Sequence, residues 1–401
     1  MGPHHEQPRN LWTAAFIGLT TSFFLLFLNL QMLLAAFPAY VQERFDADDI
    51  TVSLMTSVFA ASAIASRFLT AWLLRRIDRR HLLLVSIALA VIFTALYASA
   101  WSIDSLLLWR IGFGIGFGMA STIIPTLVSA VIPGNRIGEG IAYFGLSTSL
   151  AMSIGPLTGL NILDAYGFPT LVWLGTGVAM LILPVLLLTR ALPALQPAVA
   201  HIRAGSAPRP PFPRQIAIPA LLNLLLGFTY SGLLSFIALY GMSAGLPQAG
   251  LFFLFNVVAI LIVRPLAGRW FDRRGPVVVL IPAALSLGGG LLVLSYATTM
   301  PMLTAAALLY GAGFGSIQPT LQAWMLRVSR PEQQGTANSM FYNSADLGIA
   351  IGSFALGALA SVSDYGIMYR CSAALSLLFL LAVLYARRPV AAVATSPSID
   401  N

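Results

Sequence analysis

Twelve long apolar stretches constrain the fold of this chain more than any other feature of its sequence. Each has about 20 residues or more, the length that an α-helix needs to cross the hydrocarbon core of a bilayer. Backbone groups in lipid must be paired within their own segment, so the stretches predict helices and not strands. They cover residues 11–37, 51–73, 82–101, 104–132, 139–162, 168–189, 215–240, 249–270, 277–298, 301–326, 333–361 and 367–386.

The composition excludes a water-soluble domain. Of the 401 residues, 58% are hydrophobic and 9% are charged, whereas soluble domains carry about 25% charged residues. The net charge of +8 comes from arginines, most of which lie in short loops between apolar stretches. A nucleic-acid-binding protein would need a basic face on a soluble surface. We therefore expect a lipid bilayer, and no nucleic acid, as the surroundings of this chain.

The arginines also predict the orientation of the chain, because cytoplasmic loops of membrane proteins carry an excess of positive charge. If the N-terminus is cytoplasmic, 17 of the 22 arginines fall in inside segments. Only Arg44 and Arg370 fall outside, and Arg67, Arg110 and Arg264 lie within the stretches. We expect both termini to be cytoplasmic in a multi-pass protein of the plasma (inner) membrane.

A segment rich in proline and arginine, residues 190–214, divides the chain into two sets of six stretches. Such a composition cannot pack a core and behaves as a semi-stiff linker. We therefore predict an all-α membrane protein with twelve transmembrane helices in two pseudo-symmetric six-helix bundles. The bundles comprise residues 11–189 and 215–387, and the cytoplasmic tails are 1–10 and 388–401.

The two halves repeat at a constant offset of 197 residues. Asp346, an acid near the middle of the eleventh stretch, corresponds to Ser149 in the first half. Parallel repeats of this kind are a known architecture of secondary transporters. The landmarks that match at this offset are Arg67 with Arg264; Gly114, Gly116 and Gly118 with Gly311, Gly313 and Gly315; Gly138 with Gly335; and Gly155 with Gly352.

The turn after the eighth stretch combines a glycine with a carboxylate. Gly268 allows close approach of two helices. Asp272 can accept hydrogen bonds at the N-terminus of a neighbouring helix, where anions are favoured, and so latch one conformation. The pattern of Gly268, Asp272, Arg273, Arg274 and Gly275 resembles the loop signature of the major facilitator superfamily. A plain positively charged turn is the alternative.

The first-half copy of this pattern is degenerate. Ala71 stands in place of the glycine, Arg75 in place of the acid, and Asp78 where a second glycine belongs. Either Asp78 takes over the latch in this half, or the gate of the first half differs from that of the second.

Two further patterns resemble motifs of the same family. Arg110, followed by alternating glycines, resembles the fourth-span motif that is linked to proton transfer in proton-coupled members. Its alternative is an arginine that extends to the outer interface. Gly155, Pro156 and Gly159 resemble the fifth-span motif of drug–proton antiporters, which is associated with export. Here the alternative is a generic helix kink, because proline removes a backbone donor.

Asp346 is the deepest carboxylate in the sequence. An ionised group at the middle of a bilayer costs at least about 2.5–3.5 kcal/mol and usually marks a pathway or a binding site. Asn338, Tyr342 and Asp346 are spaced by four and share a helix face, which Asn343 flanks. A carboxyl that alternates between an apolar cavity and water can take up and release protons. A cation-binding anchor for substrate and a structural aspartate tied to an Asn, Ser or Arg remain open.

The resemblance implies that the first, fourth, seventh and tenth spans line a central path. Polar side chains in or near these spans are candidates for the cavity wall: Asn29, Gln31, Asn223, Tyr230, Asn256, Gln318 and Gln322.

These features lead to one functional expectation. The resemblance implies a secondary transporter, for which we expect proton-coupled export of a small amphipathic molecule, a drug or a metabolite, by alternating access. Proton-coupled uptake of a sugar, organic acid or other nutrient is the alternative. The sequence contains no pattern typical of an enzyme, a metal site or a cofactor site. We accordingly expect no catalytic residues, no metal and no cofactor, and a monomer.

Overall fold

The computed structural model describes residues 10–46, 49–74, 76–192, 214–246, 248–330 and 333–386, and within these ranges it contains helices and no β-strand. Most of the expected linker and almost all of both expected tails lie outside the described residues. The helices α1 to α12 are Ala14–Phe45, Asp49–Leu73, Arg79–Leu96, Ile103–Val131, Ile137–Met180, Ile182–Leu188, Ala217–Ser243, Leu251–Arg274, Pro276–Ser295, Met300–Arg327, Gln334–Val362 and Tyr365–Ala386.

These helices occupy all twelve predicted stretches. Ten segments within the described residues are long and apolar enough to cross a membrane, and α2 contains a shorter apolar helix, Ser57–Leu73. The fifth and sixth stretches are joined in α5, which contains Gly167 at φ 79° and ψ 168°. Gly155 and Gly175, on opposite sides of Gly167, both contact α1 near Gln31 and Leu33. The chain therefore reverses at Gly167, and the two segments run antiparallel.

The glycines of α4 and α10 confirm the repeat of 197 residues. A methyl group on Gly118 would lie 2.5 Å from the carbonyl oxygen of Ala63, and one on Gly315 would lie 2.9 Å from the Cα of Ile260. Glycine is thus required where α4 meets α2 and, at the matched level, where α10 meets α8. The same offset relates the contact of Gly116 with Ala90 to that of Gly313 with Leu287.

Pro156 lies inside α5, where we expected a kink. The non-helical dihedral angles within α5 occur at Gly167 and not at Pro156. The glycines on either side of Pro156 lie at close helix contacts. Gly155 contacts the side chain of Gln31, and Gly159 contacts the backbone of Met32. This part of α5 is therefore pressed closely against α1.

The loops that carry most of the arginines lie at one end of the molecule. Helices α2, α4, α8 and α10 end there, and α3, α5, α9 and α11 begin there. We call this end the arginine-rich end and the opposite one the arginine-poor end. The candidate site lies between the middle of the molecule and the arginine-rich end.

Candidate functional site

An ion pair joins the two bundles between α2 and α11. Nη1 of Arg67 donates hydrogen bonds to Oδ2 of Asp346 and, at 3.3 Å, to Oδ1 of Asn343. Nε of Arg67 donates to Oγ of Ser121 in α4 at 3.1 Å. The side chain of Arg67 is 4% exposed and that of Asp346 is 34% exposed. The carboxylate therefore keeps one accessible side while its partner is buried.

The predicted polar face of α11 is turned toward the N-terminal bundle. The ring centroid of Tyr342 lies 5.6 Å from Cζ of Arg67. Asn338, two turns from Asp346 toward the arginine-rich end, accepts a hydrogen bond from Nε2 of Gln322 at 3.1 Å and donates to Oγ1 of Thr126 at 3.4 Å. These contacts confirm that Asn338, Tyr342 and Asp346 share a face.

The partner of Asp346 determines what this carboxylate can do. One alternative from the sequence was an aspartate tied to a basic neighbour, and the structure contains such a neighbour in Arg67. Arg67 belongs to the other bundle, however, so the pair must break whenever the bundles separate at this level. Removing one charge from a buried pair costs about 3–5 kcal/mol. The pair is therefore a contact between the bundles whose strength depends on both charges.

Asp272 bridges the bundles at the arginine-rich end. Its Oδ1 accepts a hydrogen bond from the backbone N–H of Gly138 at 2.8 Å, and its Oδ2 accepts one from Glu139 at 2.9 Å. Both donors lie in the first turn of α5, where N–H groups lack partners within the helix and the helix dipole favours an anion. Arg327 donates to the same carboxylate at 3.0 Å. The predicted contact of Asp272 with a helix N-terminus is confirmed.

Glu139 adds a second bridge that we did not predict from the sequence. It accepts hydrogen bonds from Nε of Arg136 at 2.8 Å and, across the bundles, from Nε of Arg269 at 3.1 Å. A methyl group on Gly268 would lie 2.5 Å from the carbonyl oxygen of Gly138, so glycine permits this close approach. The signal in the sequence was an acid in the first turn of a helix, three residues after Arg136. Two arginines of the loop signature, Arg273 and Arg274, are exposed in the last turn of α8.

At the arginine-rich end, the copy of the loop pattern in the first half makes different contacts from the copy in the second half. Asp78 is the N-cap of α3 and accepts a hydrogen bond from the N–H of Arg80 at 2.8 Å. Arg75, which matches Asp272 in the repeat, lies outside the described residues. Between α4 and α11, Oγ of Ser129 donates to Oε1 of Gln334 at 2.9 Å. Hydroxyl and amide groups therefore join the bundles here, and Asp78 caps its own helix.

Arg110 lies toward the arginine-poor end of α4 and is fully buried. Its Cζ is 4.3 Å from the ring centroid of Phe37 and 5.0 Å from that of Phe59, and its Nε donates to the carbonyl oxygen of Met55 at 3.2 Å. The idea that Arg110 extends to the outer interface is wrong, because aromatic rings enclose the guanidinium. The structure does not bring Arg110 to Asp346, and its role in proton transfer stays a prediction.

The polar residues that we expected in the cavity wall fall into two groups. One group ties helices together within a single bundle, as buried amides in membranes commonly do. Its members are Asn29, which donates to the carbonyl of Gly175 at 2.8 Å; Asn223, which donates to that of Phe341 at 2.6 Å; Asn256, which packs on Gly311; Tyr230, which stacks on Phe314; and Gln31, beside Gly155. The second group, Gln318 and Gln322, lines a small cavity between the bundles.

Sequence reasoning gave Arg67 a role only in the uptake alternative, as a candidate to bind an anionic substrate, and did not pair it with Asp346. We recognised it as an arginine within a span and as a landmark of the repeat. Such an arginine needs a counter-charge in the membrane. Asp346 was the one carboxylate at comparable depth, so the two residues could have been paired on that ground.

Two six-helix bundles that meet across buried polar side chains define a membrane transporter. The family model described as Major Facilitator Superfamily matches residues 19–353 and 248–400. The chain belongs to this family, and it is a secondary transporter and not an enzyme.

Relatives and solved structures agree with this assignment. A probable sugar efflux transporter of Helicobacter acinonychis (strain Sheeba) is 25% identical over 316 residues, which are 78% of this chain and 80% of that protein. The human organic anion transporter MFSD10 has a TM-score of 0.78 at 17% identity, over 92% of this chain and 99% of that one. The transporter FucP, in the outward conformation, has a TM-score of 0.72 at 16% identity, over 92% and 98% of the two chains. The two likenesses to solved structures show the fold.

Proposed function

We propose that this protein exports a small amphipathic molecule in exchange for protons, by alternating access, with its arginine-rich end in the cytoplasm. The observation that carries this proposal is the ion pair of Arg67 and Asp346 between the bundles. A charged Asp346 attracts Arg67 and holds α11 against α2. An uncharged Asp346 does not, so protonation lowers the cost of separating the bundles.

The conformation described here supplies the starting point of the cycle. The arginine-rich end is closed by Asp272 and Glu139 at α5 and α8, and by Ser129 at α4 and α11. The accessible side of Asp346 takes up a proton, Arg67 is released, and the bundles separate at the arginine-rich end. The molecule then enters from the cytoplasm. Loss of the proton restores the charge on Asp346, and the renewed pair closes that end behind the molecule.

The direction of transport is supported by two observations. Relatives such as the one from Helicobacter acinonychis are named as probable sugar efflux transporters. The pattern of Gly155, Pro156 and Gly159 in α5 resembles the motif associated with export. The distribution of the arginines supports the orientation, in which both termini lie on the cytoplasmic side of the plasma (inner) membrane. We propose that the protein works as a monomer in the lipid bilayer.

Uptake is the second candidate, because the same ion pair could serve either direction. A proton that releases Arg67 shifts the equilibrium between the two states, and the identity of the co-bound molecule decides the direction of net flux. A sugar, an organic acid or another nutrient would then enter together with the proton.

Flux measurements in membrane vesicles test the proposal. A metabolite-secretion and susceptibility profile of a deletion strain first supplies the transported molecule. Inverted vesicles with an acidic interior should then accumulate this molecule, whereas accumulation in right-side-out vesicles with an acidic exterior would favour uptake.

Asp346→Asn tests the proton step in the same vesicles. It should abolish accumulation driven by the pH gradient when vesicles with equal amounts of folded protein are compared. Asp364→Asn is the matched control, since Asp364 is exposed on the arginine-poor side and caps α12. Gradient-driven accumulation by Asp346→Asn at the wild-type level would refute the proton role of Asp346.

A further inference from the structure

Arg264 occupies in the second half the place that Arg67 occupies in the first. Nε of Arg67 donates to Ser121 of α4, and Nη2 of Arg264 donates to Gln318 of α10. Residues 121 and 318 are separated by the same 197 positions as the two arginines. The repeat thus places both guanidinium groups at equivalent sites between the bundles.

The two arginines differ in their counter-charge. Arg67 pairs with Asp346 of α11, but the matching position in α5 is Ser149. Within the part of the chain that the structure describes, no carboxylate forms an ion pair with Arg264. Arg264 is 1% exposed, and its Nε has no hydrogen-bond partner among the described residues. A buried charge without a partner is strongly unfavourable, so an anion at this point would stabilise the protein.

Polar groups surround Arg264, and the cavity beside it has a volume of about 20 Å³ in this closed conformation, room for about one water-sized group. Arg264 lines a small cavity with Gly145, Thr148, Gln318, Gln322 and Tyr342. Gly145 lies directly against Nη1 of Arg264, and a side chain there would displace the guanidinium. The amide N–H groups of Gln318 and the hydroxyl of Tyr342 can donate further hydrogen bonds, whereas the hydroxyl of Thr148 already donates to the carbonyl oxygen of Gly145 at 2.8 Å. The cavity lies between the bundles, so it would open when they separate.

We propose that this cavity binds an oxyanion, a carboxylate or a phosphate, carried by the transported molecule. A guanidinium presents parallel N–H donors that match the geometry of such a group. The acidic group would balance the charge of Arg264 as Asp346 balances that of Arg67. Both arginines would then have a counter-charge when the molecule is bound. The substrate class is therefore small organic acids or phosphate esters, including sugar derivatives of this kind. That the anion is transported rests on the proposed function, whereas its binding does not.

Anion-dependent thermal stability tests the binding step. The purified full-length protein in lipid nanodiscs is titrated with sodium acetate and sodium phosphate at fixed ionic strength, balanced with the bulky anion HEPES. At tenfold excess over Kd, the wild-type Tm should rise by roughly 2–4 °C. Arg264→Gln should abolish the rise, and Arg110→Gln, which removes another buried arginine, should retain it. No rise in the wild type with either anion, or a full rise in Arg264→Gln, would overturn the proposal.

A designed counter-charge provides a test that does not depend on Arg264→Gln being folded. Ser149→Asp places a carboxylate at the position that matches Asp346. It should raise the Tm without added anion and eliminate the response to acetate and phosphate. A wild-type response in Ser149→Asp would contradict the site.

Competition with acetate shows whether the bound anion is a group of the transported molecule or a free anion. It also separates a failure of the anion site from a failure of the proposed transport cycle. The molecule found by the secretion profile should suppress the acetate response, and its methyl ester should not. An acetate response that this molecule leaves unchanged would reject the substrate assignment. Because the titration requires no flux, an anion response in a protein without proton-coupled transport would reject the proposed function and keep the anion site.

Discussion

Three buried arginines lie within the spans, and each has a different environment. Arg67 has a carboxylate partner, Arg264 has an amide and a small cavity beside it, and Arg110 has two aromatic rings. Cation–π contacts in desolvated sites contribute about 2 kcal/mol each, which offsets part of the cost of burying Arg110. Among the described residues, Arg67 is the one of the three arginines that pairs with a carboxylate.

The pair of Arg67 and Asp346 should be coupled energetically. Arg67→Gln leaves the carboxylate without its counter-charge, and we expect a loss of stability near the lower end of about 3–5 kcal/mol, because Asp346 is partly exposed. The double variant Arg67→Gln/Asp346→Asn should recover part of this loss, since no charge remains unpaired. Thermal unfolding in detergent measures both. A loss in the double variant equal to the sum of the losses in Arg67→Gln and Asp346→Asn would show that the two side chains are not coupled.

At this scale the sequence predicted which residues share a face better than it predicted their partners. The spacing of four between Asn338, Tyr342 and Asp346 indicated one helix face, and the structure agrees. Local periodicity cannot reveal a partner 279 positions away, as Arg67 is from Asp346. Tertiary packing determines that pairing.

At the scale of helices, the contact of α8 with the N-terminus of α5 closes the arginine-rich end. Asp272 and Glu139 form it, with glycines at 138 and 268 that allow the helices to touch. The loop signature and the helix-dipole argument predicted Asp272. Dihedral angles outside the helical region occur in α5 at Gly167, and the glycines beside Pro156 bring α5 against α1. The kink expected at Pro156 stays a prediction.

Asp272→Asn should weaken the latch. It keeps the side-chain shape but removes the negative charge beside the first turn of α5. The interaction of such a charge with a helix N-terminus contributes about 1 kcal/mol, which corresponds to roughly a fivefold shift in the open–closed equilibrium. In a Cys371→Ser background, a cysteine in place of Ser129, which is buried in the closed end, should react faster with a maleimide. Transport turnover should slow more than substrate binding weakens.

Asp364→Asn serves as the control for the latch, because Asp364 caps α12 within its own bundle through the N–H of Ile367 at 2.7 Å. It should leave the labelling rate unchanged. Unchanged labelling and turnover in Asp272→Asn would show that Asp272 does not act as a latch.

The glycine contacts between helices should be intolerant of a methyl group. Gly118→Ala would place a carbon 2.5 Å from the carbonyl oxygen of Ala63, and overpacking of this kind costs about 1–3 kcal/mol. Gly289→Ala in α9 is the matched control, because among the described residues no atom outside its own stretch of helix lies within 4 Å of the added methyl group. The Tm of purified protein should fall for Gly118→Ala and remain unchanged for Gly289→Ala. Equal changes in the Tm of the two variants would mean that close packing at Gly118 is not the reason that glycine is needed there.

At the scale of the whole molecule, the two bundles and their closed arginine-rich end define one state of a transport cycle. The apolar stretches and the repeat predicted twelve helices in two bundles, and the structure agrees. The sequence could not predict which end is closed, because both states are formed by the same chain and differ by contacts between residues far apart. Those contacts, from Arg67 with Asp346 to Asp272 with α5, are what the structure adds.

A pH-dependent distance between the bundles tests the central claim most directly. Spin labels replace Asn135 and Arg330, which are exposed in the α4–α5 and α10–α11 loops, in a Cys371→Ser chain. In the wild type, electron resonance should show a longer distance as the pH falls, because protonated Asp346 releases Arg67. Asp346→Asn should show the longer distance at every pH. A wild-type distance that does not change with pH, or the same pH dependence in Asp346→Asn, would contradict the account.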